Sequence, residues 1–180
     1  GYNPDNGILL GASLKFKKYT FKKVPHGQTH LVNASFAFET KSFELSYEGD
    51  YIETFGNWDM LLKGQYRGAS YAFNYFGFGN ESIQLFEDED NVDIDFYRVR
   101  QSQVFVNPNF KKRLLGGDGT FTIGPMFERT HIDDTADRLI VDENNDLPSD
   151  ITDRKYYTGI LSELNYANMD NQIMPAKGFK

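Results

Sequence analysis

Between Phe43 and Tyr51 the chain alternates bulky apolar residues with polar or charged ones. Phe43, Leu45, Tyr47 and Tyr51 stand against Glu44, Ser46, Glu48 and Asp50. Successive side chains of a β-strand point to opposite faces, so this segment predicts a strand with one apolar face and one charged face. The period recurs along the chain. Residues 7–19 set Ile8, Leu10, Ala12, Leu14 and Phe16 against Ser13, Lys15 and Lys17. A second strand, about 29–40, sets Val32, Ala34, Phe36 and Phe38 against Asn33, Ser35 and Glu39. A fourth, from Trp58 to Arg67, opposes Trp58, Met60, Leu62 and Tyr66 to Asp59, Lys63, Gln65 and Arg67, with Leu61 out of pattern.

Four more strands are predicted at about 70–78, 93–106, 120–131 and 155–167. In the seventh, Phe121, Ile123 and Phe127 oppose Thr120, Thr122 and Glu128. In the eighth, Tyr156, Ile160, Leu164 and Tyr166 oppose Gly159, Glu163 and Asn165. The pattern predicts an all-β, antiparallel meander of about eight strands, with no helical period. Two long polar connections, near 79–92 and 133–154, follow odd-numbered strands. Those after even strands are mostly short, except 107–119, which is too long for a tight turn.

Alternation alone does not say whether the apolar face meets lipid or a core, because a soluble lipocalin-like barrel has the same period. Two features favour lipid. Charges of both signs crowd the polar face (Glu44, Glu48, Asp50, Asp59, Lys63, Arg67), as a water-filled lumen allows. The apolar face often ends in an aromatic residue (Tyr19, Tyr51, Trp58, Tyr66, Tyr156, Tyr166), as an interfacial girdle would. Asymmetric connections are also a property of outer-membrane barrels. The expectation is therefore one domain, residues 1–180, forming part of a transmembrane β-barrel.

Composition narrows the chemistry. No stretch approaches the ~20 apolar residues of a membrane-spanning helix, although the low mean hydropathy of −0.56 is also what alternating barrel strands produce. There is no cysteine, which removes disulfides, thiolate metal sites and cysteine nucleophiles. A net charge of −7 without a basic aromatic patch argues against nucleic acid as a partner. His26, His30 and His131 fit no ligand pattern. The acidic runs around 87–95 and 142–146 lack EF-hand spacing and read as solvated loops. No nucleophile–base pair stands out, so the expectation is a protein without catalytic residues or cofactor. Both ends read as cut, since no signal peptide opens the chain and the last residues start another strand; a fragment of a longer protein is expected.

Local motifs add a resemblance. Residues 3–11 (Asn-Pro-Asp-Asn-Gly-Ile-Leu-Leu-Gly) resemble the barrel opening of the bacterial surface antigen family, the BamA/TamA-like outer-membrane assembly superfamily. Residues 74–82 resemble its phrase before a surface loop, and residues 96–100 the strand that follows. Asp170-Asn171 with Pro175 and Gly178 resembles its mid-barrel turn, with Gln172 where arginine is usual. The flavour is that of Bacteroidetes members, some of which carry the barrel behind a phosphoesterase domain.

The resemblance implies the N-terminal half of a barrel of about sixteen strands, located in the bacterial outer membrane. It implies insertion or translocation of proteins there, by pairing of client strands at a lateral seam. Its implied partners are the lipid bilayer, unfolded outer-membrane client proteins and periplasmic assembly partners. Residues 7–19 would be the gate strand, with Gly7 and Gly11 either weakening its pairing or merely relieving crowding. A porin-like or anchoring barrel holding a fused phosphoesterase domain is the other reading of such a wall. The phosphoesterase signatures themselves are missing from this chain.

Overall fold

In the computed structural model the described residues are 1–3, 5–24, 26–77, 86–88, 91–92, 94–141, 147–169 and 178–179. Eight strands carry the architecture: β1 (Gly7–Lys18), β2 (Gln28–Ala37), β3 (Ser42–Phe55), β4 (Trp58–Arg67), β5 (Ala72–Asn74), β6 (Arg98–Leu114), β7 (Gly119–Ile132) and β8 (Lys155–Tyr166). They form one antiparallel sheet in the order β1-β2-β3-β4-β6-β7-β8, with Tyr2–Asn3 folded back onto the outer edge of β1. Helix is confined to Ile94–Tyr97 and two 3-10 turns among the described residues.

Two expectations need correction. The fifth strand is not a separate lane, because β5 pairs with Arg98–Arg100 of β6, in line with β4, which pairs with Gln103–Lys112. The chain merely breaks at 68–71, where Gly68 N–H donates to the Phe43 carbonyl. The long connection at 107–119 does not exist either. β6 runs on to Leu114, and a tight turn at Leu115–Gly117 leads into β7.

Pro108 inside β6 hid that continuation, since proline cannot donate to a ladder. It is tolerated because the β6–β7 ladder opens there. Pairing stops at Phe110↔Ile123 and resumes at Val106↔Phe127. Within this gap Pro108 and Pro125 share a register position, and the Asn107 side-chain amide donates to the Pro125 carbonyl (2.8 Å). Gly124 is required at the same place, because any Cβ would collide with the Pro108 carbonyl.

Both long connections, 75–97 and 133–154, leave the same end of the sheet, and their described parts pack together. Tyr97, Val99, Leu139 and Ile140 are buried, and Arg138 lies 3.7 Å from Asp95. The opposite end carries the turns 19–27, 56–57 and 115–118.

Candidate functional site: a polar face, a latched corner and an open edge

Apolar side chains are the sheltered ones in a water-soluble protein. Here Ala37, Ile52, Ala72 and Val99 are buried, but in the central strands polar side chains are buried as deeply while large apolar ones are exposed. Along β6, Val106 is 40% exposed while its neighbour Asn107 is 3% exposed; Asn109 is 3% exposed and Phe110 36%. The same inversion sets Asp59 at 2% against Leu45 at 45% and Phe127 at 50%. These strands are central in the sheet, so the exposure of their apolar residues is not an edge effect.

The polar face is joined across strands by its side chains. Ser13 donates to Asn33 (2.6 Å), and Asn33 donates to Ser46 (3.0 Å). Glu44 accepts from Gln65 (2.8 Å) and from Arg67 (3.3 Å). Gln103 donates to Glu128 across β6 and β7 (2.7 Å). The charged residues expected on one face do share it. Glu44 stands opposite Arg67 and Glu48 opposite Lys63, with Asp50 and Asp59 further along; Asp50 faces His26 at 3.7 Å. Opposite charges placed directly across a pair stabilise the register by roughly 0.2–1 kcal/mol each.

Asp59 is the most buried of them, and its main task is local. β3 slips register between Tyr51 and Phe55, with Glu53 in the left-handed region (φ 51). Asp59 accepts the Glu53 N–H at 2.8 Å, and Lys23 Nζ donates to the Ile52 and Glu53 carbonyls from the other side. Arg113 (3.4 Å) and Lys111 (3.9 Å) supply the countercharge. Arg113 is about half exposed, so the ion pair is screened and worth little. Orphaning the Glu53 N–H is the larger cost, about 1–3 kcal/mol. Asp59→Ala is therefore expected to destabilise by about 2 kcal/mol, and Asp59→Asn, which still accepts that bond, by less than about 1 kcal/mol. Urea midpoints of the two variants check this; equal losses would mean that charge rather than the hydrogen bond matters.

The second feature is a corner latch at the start of β1. Asn6 is 1% exposed. Its amide nitrogen donates to the Ala72 carbonyl (3.0 Å), and its oxygen accepts from Ala72 N–H (3.1 Å) and Thr40 Oγ1 (3.2 Å). Asn74 Nδ2 donates to Asp5 beside it (2.7 Å). Strands three lanes apart in a flat sheet are about 14 Å apart. At this end the chain therefore closes across β2 and β3, tying the start of the first strand to the start of β5.

Gly7 follows directly, at φ 70, where a Cβ would also meet Glu39. Its backbone conformation and this close approach call for glycine, whatever its effect on pairing. Gly11 stands opposite Ser35, and a Cβ there would meet the Ala34 carbonyl at 3.3 Å. The outer edge of β1 is covered only at its start, where Leu9 exchanges two backbone bonds with Gly1 (2.8 and 2.9 Å). From Leu10 onward it has no partner strand among the described residues.

The apolar face ends in aromatic clusters. Phe36, Phe38, Phe43 and Tyr66 gather toward the end of the long connections. Phe55–Phe110 and Trp58–Phe121 gather at the turn end, with Lys112 Nζ 5.4 Å from the Trp58 ring. His30 also stands on this face, with its polarity satisfied locally. Its Nδ1 lies 2.8 Å from the Tyr47 hydroxyl, which bonds Tyr51 at 2.7 Å. Gly49 makes room for both tyrosines.

Asp170, Asn171 and Pro175 lie outside the described residues. Gly178 belongs to a two-residue strand, Gly178–Phe179, that pairs with Asn168–Met169. No group of three or more metal-binding side chains occurs among the described residues. Sequence reasoning missed the latch role of Asn6 and the polar positions Asn107, Asn109, Lys111 and Arg113. Their alternation was a usable signal, obscured by Pro108 and the basic run 111–113. No protein-family model, curated protein or solved structure matches this chain.

Proposed function

We propose that this sheet is a stretch of outer-membrane β-barrel wall, with its apolar face toward lipid and its polar face toward a watery lumen. The inverted burial carries the reading. Asp59, Asn107 and Asn109 are buried on the polar face, while Leu45, Val106, Phe110 and Phe127 are exposed on the other. The aromatic ends fit the same geometry. From Phe43 to Tyr51 is about 27 Å along a strand, or about 20 Å across the bilayer at the usual barrel tilt, close to the ~25 Å apolar band of such barrels. A soluble lipocalin-like barrel would need an apolar interior face, which fits this sheet poorly.

On the resemblance to the BamA/TamA-like superfamily, the wall belongs to the first half of a larger barrel of about sixteen strands. Its function is insertion or translocation of proteins at the outer membrane. In that reading β1 is the gate strand, whose edge beyond Leu10 would pair with a client strand. The latch at Asn6 favours a second reading, an anchoring wall that stays shut, since it ties down the start of that same strand.

The test is to purify the chain with and without detergent, then place it in phosphatidylcholine vesicles with an unfolded outer-membrane protein as client. Solubility only in detergent, with faster client folding that a Ser13→Pro edge block abolishes, is the expected result. A cooperative β-rich monomer in plain buffer would overturn the wall. A stable wall that leaves client folding unchanged would leave the anchoring function instead.

A further inference from the structure

The first hairpin differs in charge from the rest of the chain. Residues 7–38 hold five lysines and no acidic residue, in a protein of net charge −7. The lysines cluster at the turn end, at positions 15, 17, 18, 22 and 23. The turn is built rather than loose. Gly27 N–H donates to the Lys18 carbonyl (2.9 Å), Lys23 N–H to the Thr20 carbonyl (3.2 Å), and Lys23 Nζ is anchored in the β3 bulge (2.7 Å to the Ile52 carbonyl). This framework lifts Phe21 to 87% exposure, flanked by Tyr19 at 74% and Val24 at 75%. Lys22 Nζ sits 5.6 Å from the Phe21 ring. Lys18 and Lys22 are exposed.

Among the described residues, no packing contact accounts for an aromatic ring held in solvent beside a cation. The arrangement fits one environment well: an anionic phospholipid surface, with the ring among the acyl chains and the ammonium groups among the phosphates. Lys112 over Trp58 repeats the pairing at the same end of the outer face. Long connections of outer-membrane barrels lie outside the cell, so the turn end would meet the phospholipid leaflet rather than the cell exterior. We propose that the 19–27 turn is an anionic-phospholipid anchor, in which Phe21 inserts and Lys18 and Lys22 bind headgroup phosphates. The proposal rests on the membrane-wall reading above.

The experiment folds the chain in the presence of phosphatidylcholine vesicles, with and without phosphatidylglycerol, and measures affinity by flotation at low and high salt. Each lysine near an anionic surface contributes roughly fivefold in binding. The parent should prefer phosphatidylglycerol vesicles, a preference that fades at high salt. A chain with Lys18→Gln and Lys22→Gln should lose about 25-fold toward those vesicles and keep its affinity for pure phosphatidylcholine. Phe21→Ser should weaken binding to both. Equal affinity of parent and double variant for phosphatidylglycerol vesicles would overturn the anchor while leaving the wall intact. Failure of the parent to float with any vesicle would overturn the wall, and the anchor with it.

Discussion

Asn6→Ala is expected to destabilise the sheet by about 3–5 kcal/mol, a large loss for one exchange of small side chains. The carboxamide is buried and bonds both backbone groups of Ala72 as well as the Thr40 hydroxyl. Truncation leaves all three unpaired, at about 1–3 kcal/mol each before relaxation. Asp5→Ala is the control, since it removes the single half-buried bond from Asn74 and should cost about 1 kcal/mol. Asn6→Asp keeps the two accepted bonds but turns a carboxylate oxygen toward the Ala72 carbonyl, so it should also lose stability. Unfolding midpoints in detergent measure all three. A loss for Asn6→Ala no greater than that of Asp5→Ala would mean that the latch contributes nothing.

Ala34→Arg has an effect that depends on what surrounds the sheet. Ala34 lies on the apolar face midway along β2, between Ala12 and Leu45, and is already exposed. In water, an exposed alanine changed to arginine shifts stability by no more than about 0.5 kcal/mol. Facing the middle of a bilayer, the same change costs about 2–4 kcal/mol. The adjacent Ser35→Arg points to the polar face, opposite Glu44, and should be near neutral. Folded yield in vesicles for this pair separates the environments. A mild Ala34→Arg beside a damaging Ser35→Arg would reverse the assignment of the faces.

How far the sequence could be read follows from which interactions are local. Alternation is a property of consecutive residues, so β1, β3 and β4 were legible, along with the shared face of Glu44, Glu48, Asp59, Lys63 and Arg67. The failures come from pairings that no short window contains. β5, with its weaker alternation, reads as a strand of its own; only its pairing with Arg98–Arg100 shows that it continues β4. The continuation of the sixth strand past 106 is illegible because the tolerance of Pro108 depends on the gap opposite Pro125 across the ladder. The latch was illegible for the same reason, since Asn6 and Ala72 are 66 residues apart.

The central claim is that the apolar face meets lipid and the polar face meets water. The chain has no cysteine, so single cysteines can be placed at will. The most direct measurement puts one at each of Phe43, Leu45, Ser46 and Glu48 on β3, and times labelling of the vesicle-embedded chain by a water-soluble maleimide. Rapid labelling at 46 and 48 with protection at 43 and 45 is the predicted result. Equal labelling at all four positions, or protection at 46 and 48 alone, would contradict it.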